Sequence, residues 1–248
     1  MKAYFLVRFS DTADAFELRD MAIRPPGPEE ICIRVTAFGL NYADIMARQG
    51  QYRGCPPLPC VLGYDVEGYV SELGDQVTGF TKGDKVFALT RFGGYAEYVT
   101  VPAIAVGHLP DDAPLGAGCA LAVHGVTAYH AVIHSQTLMP GEKVLVHAAA
   151  GGLGTCIIQM ALWKKCIVIG IAGGHEKVDY LKSLGVHHII DHHRGDYLDY
   201  VHKYLGGKVD VIIDNIGGSS IKKGKSILAP GGRLVTLGAA ALSRKYGK

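Results

Sequence analysis

The sequence has little net charge and no long apolar run in its first residues, and each absence argues against a class of protein. Its 25 Lys and Arg residues stand against 23 Asp and Glu residues, which leaves a formal charge of +2. So small a charge argues against nucleic acid or an acidic surface as a partner. The N-terminus, MKAYFLVRF, lacks a long apolar run and predicts a first strand rather than a signal peptide.

No C-x-x-C pair occurs among the six cysteines, which are scattered along the chain. Several of them fall in predicted core segments, where cysteine usually acts as a small apolar residue. A reducing, cytoplasmic setting is the simplest interpretation of this pattern.

Charge is also missing from Val144 to Trp163, a segment long enough to span a bilayer. The glycine-rich AGGLG in its middle divides the segment into a short strand and a helix. A globular core is therefore the better interpretation, and we predict no integral membrane segment.

The most informative segment present is Lys143 to Gly154, KVLVHAAAGGLG. A short apolar strand stops at small residues and glycines, and a helical pattern follows at once. In such a turn the main chain can come close to a phosphate, and the free N–H groups at the N-terminus of the helix can bind it. The spacing Ala148-x-x-Gly151-x-x-Gly154 departs from G-x-G-x-x-G, so alone it also fits a tight turn in any α/β unit. The helical recurrence of apolar residues favours the nucleotide site; these residues are Ile157, Ile158, Ala161 and Leu162.

The first half of the chain, to about Gly118, is rich in short alternating strands separated by Gly, Pro and Asp. This pattern predicts an irregular β-barrel. The predicted strands are Ile31–Ala37, Gly63–Leu73, Lys85–Leu89 and Gly94–Val101.

The second half, from about Val126, alternates strands and helices. Repeated βαβ units with apolar strands predict a doubly wound parallel sheet covered on both faces, so the fold class is α/β. Leu184-Gly185 and Leu205-Gly206 fit helix ends, and Pro230-Gly231-Gly232 predicts a turn into the last strand. The predicted elements are strands Val144–Val146, Cys166–Ile171, His188–Ile190, Val209–Ile213 and Arg233–Leu237 and helices Glu176–Leu184 and Tyr197–Tyr204.

Taken in order, these pieces resemble the medium-chain dehydrogenase/reductase superfamily and, within it, the zinc-free quinone oxidoreductase branch. The resemblance covers essentially all 248 residues. NYADIMARQG, GGSSIKKG and GAAALSRKYG are most similar to the vesicle amine transport protein subgroup. The motifs that carry it are GLNYADIMARQGQY at Gly39–Tyr52, PCVLGYDVEG at Pro59–Gly68, GDKV at Gly83–Val86, YAEYVTV at Tyr95–Val101, VTAYHAV at Val126–Val132, HAAAGGLG at His147–Gly154, LGVHHIID at Leu184–Asp191, DVIIDNIGG at Asp210–Gly218 and LAPGGRLVTLGAA at Leu228–Ala240.

The resemblance implies a GroES-like catalytic domain over residues 1–122 and a Rossmann NADP-binding domain over residues 123–248, with the active site in the cleft between them. The implied reaction transfers a hydride from NADPH to a small-molecule quinone or α,β-unsaturated carbonyl (enone).

The chain stops at Lys248, just after its fifth predicted Rossmann strand. The family continues with a sixth strand and a return segment, so we expect a C-terminally truncated, incomplete form. One hypothesis is a fragment of a full enzyme; the alternative is a short paralogue that binds nucleotide or a partner with weak or no catalysis. A homodimer is possible, although the strand through which the family often dimerises is absent.

The zinc alcohol dehydrogenases of the superfamily carry a catalytic Cys where this chain has Asn41, and Gly-His-Glu where it has Gly63-Tyr64-Asp65. Two ligand positions are therefore missing, and a catalytic zinc needs about three protein ligands. A rival cluster of possible metal ligands consists of four histidines, His187, His188, His192 and His193. Neighbouring side chains on a strand face opposite ways, so the four rings converge poorly on one metal ion. We predict no metal.

NADPH is the expected cofactor, with NADH less favoured. The second Rossmann strand ends at Gly170 to Gly174 without the carboxylate that holds the ribose 2′-OH of NAD. A cation from His175 or Lys177 can instead meet a 2′-phosphate, although Glu176 argues mildly against this.

The resemblance also assigns cofactor-binding roles to individual residues. Gly173 and Lys177 match the family's 2′-phosphate site, and His192 replaces a residue that is usually tyrosine near the adenosine. Thr127 is expected to begin a helix against the nicotinamide. The full set of implied cofactor-binding residues is Thr127, Ala150, Gly151, Gly152, Leu153, Gly154, Gly173, Lys177, His192, Asn215 and Gly238.

The resemblance also assigns Asn41 and Tyr52 as catalytic residues. Without zinc, hydrogen-bond donors must stabilise the oxygen that becomes negative when hydride adds to the substrate. The Asn41 amide donates without a change of charge. The Tyr52 hydroxyl donates a hydrogen bond, and either Tyr52 or a relayed water delivers the proton.

Overall fold

The computed structural model describes residues 1–238, so residues 239–248, the end of the second predicted domain, lie outside it. The chain forms two compact units and passes from one to the other between Val123 and His124.

Residues 1–123 of the first unit contain eight strands and two α-helices. Its strands are β1 (Lys2–Leu6), β2 (Phe16–Asp20), β3 (Glu30–Phe38), β4 (Cys60–Val61), β5 (Asp65–Leu73), β6 (Lys85–Leu89), β7 (Tyr98–Pro102) and β8 (Val106–His108). Its helices are α1 (Tyr42–Arg48) and α2 (Ala117–Cys119), with short 3₁₀ turns at Ala13–Ala15 and Ala103–Ala105.

These strands form a curled antiparallel sheet in the order β7-β3-β5-β6-β8 and a smaller sheet in the order β2-β1-β4. The alternation of apolar residues in β3 and β5 places Ile31, Ile33, Val66 and Val70 in the core. The pairing of β3 with β5 shifts register twice, and such irregularities bend a strand. The predicted irregular barrel is therefore confirmed as a curled sheet.

The second unit alternates strands and helices. Its strands are β9 (Lys143–Val146), β10 (Ile167–Ala172), β11 (His188–Asp191), β12 (Val209–Asp214) and β13 (Leu228–Thr236). Its helices are α3 (Val126–Tyr129), α4 (Gly152–Trp163), α5 (His175–Ser183), α6 (Tyr197–Tyr204) and α7 (Ser219–Ser226), with π-helical segments at Ala120–Gly125, which begins in the first unit, and His130–His134.

The five strands pair in parallel in the order β11-β10-β9-β12-β13, so the predicted parallel sheet is confirmed. The central strands are buried along almost their whole length because helices cover both faces. One face packs on α4 through Ile157 and Ile158, and the other packs on α6 through Val201. This order places the loops after the strands at one edge of the sheet.

Local signals in the second unit agree with the structure. Helix α6 spans the predicted Tyr197–Tyr204, and the Asp196 side chain caps it by accepting from Leu198 N at 3.0 Å. Gly185 and Gly206 have φ of +79° and +73°, so the two predicted helix ends are confirmed.

Four local predictions are wrong. Gly94–Glu97 is not part of β7, which begins at Tyr98. The strand predicted over Arg233–Leu237 begins earlier, at Leu228, and the pairing jumps from Leu228 to Arg233 opposite Val209 and Val211. Pro230-Gly231-Gly232 is thus an irregularity inside β13 rather than a turn before it. Thr127 does not begin a helix, because π-helical Ala120–Gly125 precedes α3.

A search of the helices within residues 1–238 finds none with the length and apolar character needed to cross a membrane.

Candidate functional site

The backbone of the turn between β9 and α4 is closely packed, and at Gly154 it leaves no room for a side chain. Ala148 has φ of +49°, a left-handed conformation that is uncommon outside glycine, and its carbonyl accepts from Gly151 N at 3.0 Å. A Cβ on Gly154 would lie 2.4 Å from Ala148 O, so only glycine fits there. The turn thus closes tightly and leaves the first N–H groups of α4 facing outwards from the helix end.

This turn opens onto a cavity of about 690 Å³ at the edge of the sheet where the strands end. The loops after β9, β10, β11 and β12 all contribute to its wall, as is usual for cofactor sites in parallel α/β sheets. The lining residues are His147, Ala148, Ala150, Gly151, Ile171, Ala172, Gly173, Lys177, His192, Gly195, Asp196, Tyr197, Ile216, Gly217, Ser219, Ser220 and Lys223.

Five predicted cofactor-binding residues line this cavity: Ala150, Gly151, Gly173, Lys177 and His192. The other six are not among its lining residues: Thr127, Gly152, Leu153, Gly154, Asn215 and Gly238. Two of these six support the wall indirectly. Gly154 closes the turn, and Asn215 Nδ2 donates to His147 O at 3.0 Å. A Cβ on Gly238 would lie 2.4 Å from Asn215 O, so the backbone there packs closely on Asn215.

The sequence reasoning missed two buried polar residues of this edge as well as five residues of the cavity wall, namely Asp196, Tyr197, Ser219, Ser220 and Lys223. Asp214, at the end of β12, is fully buried and accepts from Ile216 N, Gly217 N and Ser220 Oγ at 2.8, 2.9 and 2.6 Å. Burial raises the pKa of this carboxyl, but the three donors outweigh burial and the net pKa is lowered. Asp214 thereby shapes the loop that leads to Ser219 and Ser220.

His147 is the second missed residue. Its ring is buried, packs edge-on against Tyr197 at 5.1 Å between centroids, and has no partner for Nε2. Burial lowers the pKa of His147 despite the nearby Asp214 carboxylate, so the neutral ring is favoured. Its position directly after β9 was the available signal, since residues that follow the strands of such sheets line the ligand site.

In the first unit, Asn41 lies in a buried polar cluster at the start of α1. Its Nδ2 donates to Asp65 Oδ2 at 2.6 Å, and its backbone N donates to Asp44 Oδ2 at 2.9 Å. Asn41 is 5% exposed and Asp65 is 1% exposed. Burial raises the pKa of Asp44, although N–H groups of Asn41 and Gly63 partly oppose the shift.

Tyr52 lies in an aromatic cluster of the same unit. Its ring centroid is 5.8 Å from that of Tyr64 and 6.4 Å from that of Phe92. Burial, reinforced by Tyr52, raises the pKa of Tyr64, so its hydroxyl stays protonated at neutral pH. Because Tyr64 directly precedes Asp65, the cluster around Tyr52 is joined through the chain to the Asn41–Asp65 pair.

The four histidines of the rival cluster divide into two pairs. His187 Nδ1 accepts from Val168 N at 3.1 Å, and His188 Nδ1 lies 3.3 Å from the Tyr200 hydroxyl. His192 and His193 follow β11 in a turn and lie side by side, with ring centroids 4.5 Å apart. Within residues 1–238, no group of three or more His, Cys, Asp or Glu side chains is arranged to hold a metal ion.

Family models match both units of the chain. Residues 27–111 match the model "Alcohol dehydrogenase GroES-like domain", and residues 152–245 match the model "Zinc-binding dehydrogenase".

Named relatives fall in two groups. The human synaptic vesicle membrane protein VAT-1 homolog is 39% identical over 224 residues, which are 90% of this chain and 57% of that protein. Human quinone oxidoreductase is 36% identical over 221 residues, 88% of this chain and 67% of that protein. The chain thus spans between a half and two thirds of the length of these relatives.

Solved structures share the fold. Quinone oxidoreductase from Pseudomonas syringae superposes with a TM-score of 0.90 at 31% identity, over 97% of this chain and 74% of the other. Escherichia coli quinone oxidoreductase, solved in complex with NADPH, also gives 0.90, at 26% identity over 96% and 73%.

Proposed function

Since the chain belongs to the medium-chain dehydrogenase/reductase superfamily, we propose that it is an NADPH-dependent reductase of quinones or α,β-unsaturated carbonyls that works without zinc. One observation carries this proposal: the glycine turn after β9 opens onto a cavity whose wall also contains Gly173 and Lys177. That arrangement fits the pyrophosphate and the adenosine end of a dinucleotide.

The β9–α4 turn is the proposed pyrophosphate site. Its closure through Gly151 N and Ala148 O keeps the loop backbone close to the cavity, and α4 adds the partial positive charge of its N-terminus. The absence of a Cβ at Gly151, which lines the cavity, leaves room for the phosphate oxygens, and its absence at Gly154 lets the turn close.

The end of β10 is the proposed site for the ribose and its 2′-phosphate. The strand ends at Ala172 and is followed by two glycines, where a dinucleotide fold specific for NAD places a carboxylate. Lys177, in the first turn of α5, lines the same cavity and supplies a positive charge. The NADPH complex of the Escherichia coli relative supports this choice of cofactor.

NADPH, when bound, supplies the hydride, and the residues of the chain must then hold the acceptor and stabilise its oxygen. Hydride transferred to the electrophilic carbon would leave negative charge on the oxygen, and a proton from the Tyr52 hydroxyl or from a relayed water would neutralise it. We assign the Asn41 amide and the Tyr52 hydroxyl as the donors to that oxygen. One Asn41 amide hydrogen is donated to Asp65, and the second remains for the substrate.

The proposed independence from zinc rests on the donor set. Asn41, Tyr64 and Asp65 stand where the zinc enzymes of the superfamily have Cys, His and Glu, and neither an amide nor a neutral phenol is a usual zinc ligand. The hydrogen bond from Asn41 to Asp65 also occupies one carboxylate oxygen of the remaining candidate ligand.

A reducing, cytoplasmic location completes the proposal. All six cysteines are free thiols, including the pair Cys55 and Cys60, whose sulfur atoms lie 4.0 Å apart. Unpaired neighbouring thiols persist most readily in a compartment that keeps cysteine reduced.

The test is oxidation of NADPH by the purified chain with 9,10-phenanthrenequinone as acceptor, followed at 340 nm beside a binding titration. We expect saturable turnover that survives dialysis against EDTA and that is lost in the variant Asn41→Ala. Dinucleotide binding without turnover would instead favour a nucleotide-binding paralogue, and failure to bind either dinucleotide would refute the proposal.

A further inference from the structure

Tyr64 packs directly against the proposed donor Tyr52. The two rings meet nearly edge to face, with centroids 5.8 Å apart and an angle of 68° between their planes. Tyr64 also packs on Phe92, whose ring centroid lies 4.9 Å away, and Phe92 in turn lies 6.4 Å from Tyr52. The three rings thus form a closed triangle, in which each ring restricts the movement of the other two.

Hydrogen bonds join the backbone of Tyr64 to the loop that carries Phe92. Tyr64 O accepts from Thr90 N at 2.8 Å, and Gly93 N donates to Val61 O at 2.9 Å. Phe92 lies between these two bonds along the loop. The loop and the segment before β5 are therefore held together on both sides of Phe92, so the two rings do not shift independently.

The backbone of Phe92 is strained. Its φ is +142°, a conformation that a bulky residue rarely adopts. Gly93, the next residue, has φ of +90°, which glycine reaches easily because it has no Cβ. Strain of this kind persists only where the surrounding contacts maintain it, and it is concentrated at functional sites. The position of the Phe92 ring therefore has an energetic cost, which favours a role for this cluster beyond packing.

The Tyr64 hydroxyl is buried, and within residues 1–238 it has no hydrogen-bond partner. Its pKa is raised first by burial and next by Tyr52, so the hydroxyl stays protonated and is available as a donor. A buried hydroxyl without a partner destabilises a protein, and phenylalanine would fill nearly the same space without this cost. Packing alone therefore does not explain a tyrosine at this position.

We infer that Tyr64 is a positioning residue for Tyr52, and that its hydroxyl donates to Tyr52 Oη when Tyr52 donates its own hydrogen to the oxygen of the acceptor. This inference rests on the proposed function. A phenolic hydroxyl has one hydrogen and accepts at its oxygen, so a bond from Tyr64 leaves the Tyr52 hydrogen for the substrate. Such catalytic hydrogen bonds are often long in a free enzyme and shorten in the substrate complex.

The chain of two hydroxyls also strengthens Tyr52 as a donor, because successive hydrogen bonds polarise one another. Where the Tyr52 hydrogen is transferred to the acceptor oxygen, the electron pair of the O–H bond stays on Tyr52 as a phenolate. This phenolate accepts from Tyr64 until water returns a proton to Tyr52. The Tyr64 hydroxyl keeps its own hydrogen throughout.

Adjacent residues thereby support both proposed donors. Tyr64 contacts Tyr52, and Asp65 Oδ2 accepts from Asn41 Nδ2 at 2.6 Å. One short segment before and at the start of β5 thus orients the amide and the phenol that act on the same oxygen.

The test is a double-mutant cycle between Tyr64 and Tyr52, read by kcat with NADPH and 9,10-phenanthrenequinone. Tyr64→Phe keeps the ring and removes only the hydroxyl, so we expect kcat to fall about tenfold, the effect of about one hydrogen bond. The dissociation constant of NADPH should stay unchanged. The urea midpoint of unfolding should stay the same or rise, because an unpaired buried hydroxyl is removed. In the background of Tyr52→Phe, Tyr64→Phe should lower kcat no further.

Tyr69→Phe is the matched control. It makes the same chemical change within β5, where the Arg34 guanidinium lies over the Tyr69 ring, 5.4 Å from its centroid, and it should leave kcat at the wild-type value. Unchanged kcat in Tyr64→Phe, or an equal fall with and without the Tyr52 hydroxyl, would overturn the inference and leave the proposed function intact. Unchanged kcat in Tyr52→Phe would overturn the inference together with the assignment of Tyr52. Absence of turnover in the wild type would overturn both the inference and the proposed function.

Discussion

The Asn41 side-chain amide donates a hydrogen bond of 2.6 Å to the Asp65 carboxylate, and both side chains are buried. This arrangement requires glycine at position 39, because the Cβ of any other residue there would overlap Asp65 Oδ1. A buried carboxylate that accepts from an amide holds that amide in one orientation. We therefore regard Asp65 as a positioning residue for the proposed donor Asn41.

Replacing Asp65 by Asn tests this relationship. The new amide removes the charge and competes as a donor, so Asn41 loses its fixed orientation. We expect kcat with a quinone acceptor to fall about tenfold, the effect of about one hydrogen bond, while the dissociation constant of NADPH stays unchanged. Equal changes in kcat and NADPH binding would indicate general damage to the fold and contradict the positioning role.

Gly154→Ala tests the backbone turn. Its Cβ would lie 2.4 Å from Ala148 O and 2.6 Å from Ala149 O, so the turn must open. We expect NADPH affinity to fall at least about tenfold, with a loss of about 1–3 kcal/mol in the free energy of unfolding. The matched control is Gly195→Ala in the same cavity wall, where a Cβ meets nothing within 4 Å. Unchanged NADPH affinity in Gly154→Ala would show that this turn does not hold the cofactor.

Lys177→Glu tests the choice of cofactor. Reversal of this charge replaces attraction to a 2′-phosphate with repulsion, so we expect the dissociation constant of NADPH to rise about 100-fold. Binding of NADH should change little. Lys182→Glu makes the same change of charge on the same helix, in an exposed pair with Asp179, and should leave both constants unaltered. Equal loss of NADPH and NADH binding in Lys177→Glu would refute the assignment.

Asp214 predicts a pH-dependent contribution to stability. Its pKa is lowered in the folded state, so its contribution is present above the unfolded value of about 3.9 and is lost as pH falls through the folded pKa. Asp214→Ala leaves three donors without their acceptor. We expect urea unfolding at pH 7 to show a loss of about 3 kcal/mol, which becomes smaller towards pH 3. Asp214→Asn, which keeps one acceptor, should lose less; a loss independent of pH would contradict the account.

We expect the buried thiols to resist alkylation in the folded chain. Burial raises the pKa of Cys60 and of Cys119 from 9.0 to about 12. The thiolate fraction at pH 8 is then about 1,000-fold below that of an exposed cysteine. Iodoacetamide should leave both residues unmodified in the folded chain and label them in guanidinium, as read by peptide mass spectrometry. Rapid labelling of Cys60 before unfolding would show that the cluster around Tyr52 is open to solvent.

The sequence was sufficient for features set by local periodicity and local capping. The alternation in Lys85–Leu89 and the helical spacing in Tyr197–Tyr204 predicted both elements to the residue. Gly185 and Gly206 were recognisable as helix ends because positive φ strongly favours glycine.

Features that depend on distant contacts were not predictable. Nothing local shows that Ala148 adopts a left-handed conformation, that Asp214 gathers three donors, or that His192 and His193 turn towards Gly173. Thr127 was misplaced because the segment before it contains no strong helix signal but is π-helical, a rare geometry. Contacts between the loops at the edge of the sheet determine these conformations.

Direct titration of the purified chain with NADPH, in parallel with NADH, tests the central claim most closely, because every later step presupposes a dinucleotide in the cavity at the β9–α4 turn. The account predicts saturable binding of one NADPH per chain, tighter than NADH near neutral pH and strongly weakened in Gly154→Ala. No saturable binding of either dinucleotide, or NADPH binding that Gly154→Ala leaves unchanged, would contradict it.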